Sequence, residues 1–102
     1  MDNEKPSDED RKNYSFNIRD SALFSCPEKF LELGQKVRAK FRIWDQPNMN
    51  PRKTTNGEDW GWVSAEKDEE GVVQHVEKGY WPTVRFASGR STCVTDMEVE
   101  LI

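Results

Sequence analysis

The sequence predicts a mainly β protein, a small five-stranded barrel with a disordered N-terminal arm, and three observations carry that expectation. Apolar residues recur at every second position after Gly34: in QKVRAKFRIW, Val37, Ala39, Phe41 and Ile43 alternate with Lys36, Arg38, Lys40 and Arg42. That is the period of a strand with one buried and one solvated face. The alternating runs are short and are separated by clusters of Gly, Pro, Asn and Ser, the residues of tight turns. The chain has 102 residues, of which 34% are hydrophobic and 33% charged, enough apolar side chain for one small core. A sheet of so few short strands hides its edges most simply by curling onto itself.

Residues 1–13, MDNEKPSDEDRKN, hold no hydrophobic side chain after Met1 and mix acids with bases. They are expected to form a disordered acidic arm, because they bury too little area to offset chain entropy. Residues 14–33 are a partly ordered lead-in segment. Tyr14, Phe16 and Ile18 show period-two spacing, which suits a strand or an arm packed on the domain. Pro27 ahead of EKFLEL suits the first turn of a helix.

Residues 34–102 are the barrel. After the basic-faced strand QKVRAKFRIW, the segment DQPNMNPRKTTNGED is a long loop marked by Pro47, Pro51 and Gly57, and Trp60, Trp62 and Val63 re-enter structure. The acidic turn AEKDEEG leads to the strand GVVQHV, and Lys78 with Gly79 forms a turn. In TVRFA, Val84 and Phe86 share one face while Thr83 and Arg85 share the other. Ser88, Gly89 and Arg90 then connect this strand to STCVT as a hairpin. In DMEVELI, Met97, Val99 and Leu101 alternate with Asp96, Glu98 and Glu100, which are expected on an exposed face. The expected inward set is Val37, Phe41, Ile43, Val63, Val73, Val76, Val84, Phe86, Val94, Val99 and Leu101, each worth roughly 1.5–3 kcal/mol of burial before entropy is subtracted. Phe30 and Leu33, with the arm of Tyr14 to Ile18, are expected to cap an open end.

The order LGQKVRA, EEGVVQHV, PTVRF and TCVTDMEVELI resembles bacterial SH3-like barrels. It is similar to the NifZ family of nitrogen-fixation accessory proteins, the variable chain of ferredoxin-thioredoxin reductase and the barrel of the nitrile hydratase β subunit. The likeness covers Phe30 to Ile102. It implies a non-catalytic, bacterial accessory subunit that docks on a larger metalloenzyme or redox complex, with no catalytic residue to carry over. The segment WDQPNMNPRKTTNGEDWGWVSAEKD and the acidic arm depart from the family pattern.

Candidate binding residues follow from two concentrations of side chains. Trp44, Trp60, Trp62, Tyr80 and Trp81 are many large aromatics for so small a domain, and aromatics dominate interface hot spots. They are expected to line a groove for a protein partner. Lys36, Arg38, Lys40 and Arg42 form a basic row, with Arg52 and Lys53 beside it in the loop. The row reads as a solvated strand face, as a docking surface for an acidic protein, or as a phosphate-binding face of a nucleic-acid-binding barrel.

Other classes find less support. The chain is too short for a dinucleotide-binding α/β fold or a (β/α) barrel. It holds no phosphate-cradling GxxxxGK[ST], HExxH or GxSxG motif. Cys26, His75 and Cys93 lack metal-ligand spacing, so neither a metal nor a cofactor is expected, and the protein is read as not an enzyme. No apolar run approaches a membrane span, and the start is too acidic and polar for a signal or transit peptide. A soluble cytoplasmic protein is expected. The net charge of -4 disfavours general nucleic-acid binding.

Overall fold

The computed structural model describes residues 6–17, 29–45 and 62–102. Among the described residues, seven strands form two antiparallel sheets. β1 (Lys36–Ala39), β4 (Glu70–His75), β5 (Thr83–Phe86), β6 (Ser91–Cys93) and β7 (Val99–Leu101) make a five-stranded sheet in the order β6-β5-β4-β1-β7. β2 (Ile43–Asp45) and β3 (Trp62–Ala65) make a two-stranded sheet. The mainly β class is the one the alternation predicts, and in place of a single five-stranded barrel the strands form a five-stranded antiparallel sheet with a small second sheet. The larger of two hydrophobic clusters joins the sheets: Val37 and Ala39 of β1, Val73 of β4, Val84 and Phe86 of β5, Val94 and Val99 meet Ile43 and Ala65 of the smaller sheet, together with Leu31.

QKVRAKFRIW is not one strand. It bends at Lys40 and Phe41 and passes from the large sheet to the small one. The bend is fixed by the backbone: the Lys40 N–H donates to the Glu98 carbonyl at 2.8 Å, and the Asp68 N–H donates to the Ala39 carbonyl at 2.8 Å. Val37, Ala39 and Ile43 all stay buried across it, so strict alternation reads the same for one strand or for two. Phe41, at the bend, is half-buried.

Three other expectations change. Leu101 lies opposite Val37 but is 55% exposed, because β7 is an edge strand and Leu101 stands at its rim. Val63 and Val76 are half-buried rather than core. Glu98, expected on an exposed strand face, is fully buried in the turn before β7. There its Oε1 accepts from the Thr95 N–H at 2.9 Å and faces the Thr95 hydroxyl at 3.3 Å. Those bonds stand in, at Oε1, for the solvent that a buried carboxylate loses.

The arm is structured where it is described. Residues 8–12 form the single-turn helix α1 (Asp8–Lys12) and residues 14–17 the single-turn helix α2 (Tyr14–Asn17). Residues 8–12 of the expected arm thus carry one capped helical turn, and the period-two run at Tyr14 is a helical turn rather than a strand; residues 1–5 and Ile18 lie outside the described residues. The reason is local capping and a tertiary anchor. Ser7 and Asp10 form a capping box, with the Asp10 N–H donating to the Ser7 hydroxyl at 3.1 Å and the Ser7 N–H donating to the Asp10 carboxylate at 2.9 Å. Asn13 caps the second turn by accepting from the Phe16 N–H at 2.9 Å. Single turns are unstable alone, and contacts between α2 and β2 hold these in place.

Gly71 marks a close approach in the large sheet. A Cβ there would lie 2.6 Å from Cγ1 of Val84 and 2.9 Å from the Arg85 carbonyl oxygen. No other residue type fits that position without moving β5.

Candidate partner-binding surface

The five aromatics of the expected groove do not come together among the described residues. Trp44 is fully buried. Its backbone N–H donates to the Ser15 hydroxyl at 2.7 Å, and its ring meets Phe16 edge-on at 5.5 Å and 81°. Because the arm covers the second face of β2, consecutive residues Ile43 and Trp44 are both buried, and Trp44 is a packing residue rather than a binding one. Trp60 lies outside the described residues, as do Arg52, Lys53 and Cys26.

Trp62 and the Tyr80–Trp81 pair sit at opposite ends of β5. Trp62 is half-buried on β3 and lines a polar depression of about 200 Å³ with Glu66, Glu69, Ser88 and Arg90, beside the turn that follows β5. Tyr80 and Trp81 belong to the connection that precedes β5. Here the Tyr80 N–H donates to the Glu77 carbonyl at 3.0 Å, and Gly79 holds φ +87° at the third position of the turn. A turn of that kind requires positive φ there, which glycine supplies without strain. The turn points Tyr80 outward at 63% exposure and brings Trp81 back onto Phe30, edge-on at 5.6 Å and 70°. Phe30 packs in turn on the core, so this aromatic rim is mounted on the rigid part of the fold. Leu33, expected to cap the same end, is exposed.

The basic row is divided as well. Arg38 pairs with Glu100 across β1 and β7, Nε to Oε2 at 3.2 Å. Arg42 reaches two acids: its Nη1 lies 3.0 Å from Asp10 Oδ2 and its Nε 2.8 Å from Glu66 Oε1. Lys36 and Lys40 remain exposed. A row of four equivalent cations is thus two engaged arginines and two open lysines.

Register gives Lys36 neighbours that alternation along one strand does not show. Lys36 stands opposite Val72 on β4, and Val72 stands opposite Arg85 on β5. Val72 is 44% exposed. Its signal was the Val72–Val73 doublet, of which a strand can bury only one member on a single-sided sheet.

His75 and Cys93 stand on either side of Thr83 in adjacent register positions, so two strand spacings separate them. Cys93 Sγ lies 3.7 Å from the Thr83 hydroxyl, and His75 Nε2 lies 3.4 Å from Glu77. Among the described residues no group of three or more His, Cys, Asp or Glu side chains is placed to hold a metal ion, and no helix is long and apolar enough to cross a membrane.

The Glu69 carboxylate is electrostatically perturbed. Burial alone would raise the Glu69 pKa, but hydrogen bonds from the Glu66 N–H at 2.9 Å, from the Ser88 N–H at 2.7 Å and from the Ser88 hydroxyl outweigh it and lower the pKa. Glu69 so ties the turn before β4 to the turn between β5 and β6.

No family model, curated protein or solved structure matches this chain.

Proposed function

We propose that this protein is a non-catalytic, protein-binding accessory subunit that docks through the rim formed by Tyr80 and Trp81. The observation that carries the reading is Tyr80: it is the exposed aromatic among the described residues, at 63%, and it sits on a turn fixed by Gly79 and backed by the Trp81–Phe30 contact. An aromatic held rigidly at the surface loses little entropy on contact and gives a partner a large apolar area. The resemblance to NifZ-type barrels extends the proposal to the partner's class, a larger metalloenzyme or redox complex of a bacterial cytoplasm, with nitrogen fixation as the setting.

The nucleic-acid reading depends on Lys36, Arg38, Lys40 and Arg42 acting together. Engagement of Arg38 by Glu100 and of Arg42 by Asp10 and Glu66 weakens it. The test compares affinity capture from the native host by the wild type and by Tyr80→Ser with filter binding of a single-stranded oligonucleotide at two salt concentrations. The proposal expects a metalloenzyme or redox subunit retained by the wild type and lost with Tyr80→Ser. Salt-steep oligonucleotide binding without such a protein would replace it with the nucleic-acid reading.

A further inference from the structure

The outward face of the five-stranded sheet carries a row that the rim does not use. Register sets Arg85, Val72 and Lys36 side by side on β5, β4 and β1, and the Ile102 N–H donates to the Lys36 carbonyl at 3.2 Å, which extends the row past β1. Val72 is 44% exposed and Ile102 58%. Among the described residues neither Lys36 nor Arg85 forms an ion pair. Glu70 also faces this side, two residues along β4 from Val72 and opposite Arg38, whose ion pair is with Glu100. Lys36, Glu70, Val72, Gln74 and Arg85 border an open depression of about 400 Å³, with Glu70 at one side of it. The inner face of the same strands is closed by Val37, Val73 and Val84, so nothing in the core draws these side chains inward.

From the charge and spacing of this row we infer a second docking surface, for an acidic helix of a partner protein that presents an apolar residue between two carboxylates. Lys36 and Arg85 are separated by two strand spacings, roughly 10 Å at about 4.8 Å each. Two acids seven residues apart on one helix face are separated by roughly 10.5 Å, at 1.5 Å per residue, and the residues between them on that face are at the third and fourth positions. A leucine there meets Val72 while the two carboxylates meet Lys36 and Arg85. The apolar contact gives affinity and the flanking cations give orientation and rate. The surface is independent of Tyr80, so either can stand without the other.

The test uses the full chain and a fluorescein-labelled helical peptide with Glu at positions i and i+7 and Leu at i+3 and i+4. A second peptide carries Gln in place of both Glu residues. The expected result is saturable binding of the Glu peptide by the wild type. Affinity is expected to fall at least tenfold for Lys36→Glu combined with Arg85→Glu and for the Gln peptide, and several-fold for Val72→Ser, with no change for Tyr80→Ser. Both charges are exposed and lack acid partners among the described residues, so circular dichroism of the double variant should match the wild type. Equal binding by wild type and double variant, or no binding of the Glu peptide, overturns the inference. So does binding of a single-stranded oligonucleotide in place of the peptide with the same sensitivity to Lys36 and Arg85, which would make this face a phosphate site.

Discussion

Arg42 Nη1 lies 3.0 Å from Asp10 Oδ2, and the Asp10 side chain is only 5% exposed. The same carboxylate oxygen accepts the Ser7 N–H that opens α1, so one atom joins the capping box to the start of the small sheet. Asp10→Asn weakens both bonds. Hydrogen bonds to charged groups contribute about 1.5–3 kcal/mol, and native-state hydrogen exchange at the Trp44 amide is expected to accelerate about tenfold or more. Since the carboxylate is nearly buried, added salt should have little effect on this pair. An unchanged Trp44 amide would show that the arm does not protect β2.

The arm's two anchors should not add. Phe16→Ala removes the edge-on contact with Trp44 and would cost about 3 kcal/mol in a closed core. Each of Asp10→Asn and Phe16→Ala already loosens the same small unit, so the double variant is expected to lose less stability than the sum of the singles. Urea unfolding of the three variants measures this directly. Full additivity would mean that α1 and α2 dock separately.

Much of the large sheet was legible in the sequence, and the arm was not. Val37, Val73, Val84, Phe86, Val94 and Val99 are buried where alternation put them, because a period of two reports one-sided burial whatever the strand order. Trp44 escaped the same logic, since its cover comes from Ser15 and Phe16, about thirty residues earlier in the chain. Arg38 and Arg42 read as a common row because alternation reports the face of a side chain and says nothing of Glu100, Asp10 and Glu66 across the fold. Tyr80 and Trp81 were legible as a pair. That one points out and the other packs on Phe30 depends on the Gly79 turn, whose geometry only the backbone shows.

Gly71→Ala is expected to destabilise the protein by about 1–3 kcal/mol, the usual cost of overpacking a core. The added methyl would lie within 2.9 Å of the Arg85 carbonyl oxygen, which cannot rotate away as a side chain can. Chemical denaturation gives the value. A neutral result would mean that β4 and β5 separate easily.

Glu69 makes stability depend on acid. Its pKa in the folded protein is lowered, so its contribution is present above the unfolded-state glutamate pKa, about 4.3, and is lost as pH falls through the folded value. Glu69→Gln should therefore reduce stability near neutrality and flatten the loss of stability below about pH 4. Denaturation midpoints of wild type and variant across that range test it. Parallel curves would contradict the bonds to Ser88 and Glu66 as the cause.

Contact between the Tyr80–Trp81 rim and a partner protein can be trapped directly. A photoreactive phenylalanine analogue at position 80, with a control at position 90 beyond the opposite end of β5, tests it in cells of the native host. A discrete adduct with one larger protein is expected from position 80 and none from position 90. Nucleic-acid adducts, or equal adducts from both positions, would contradict it.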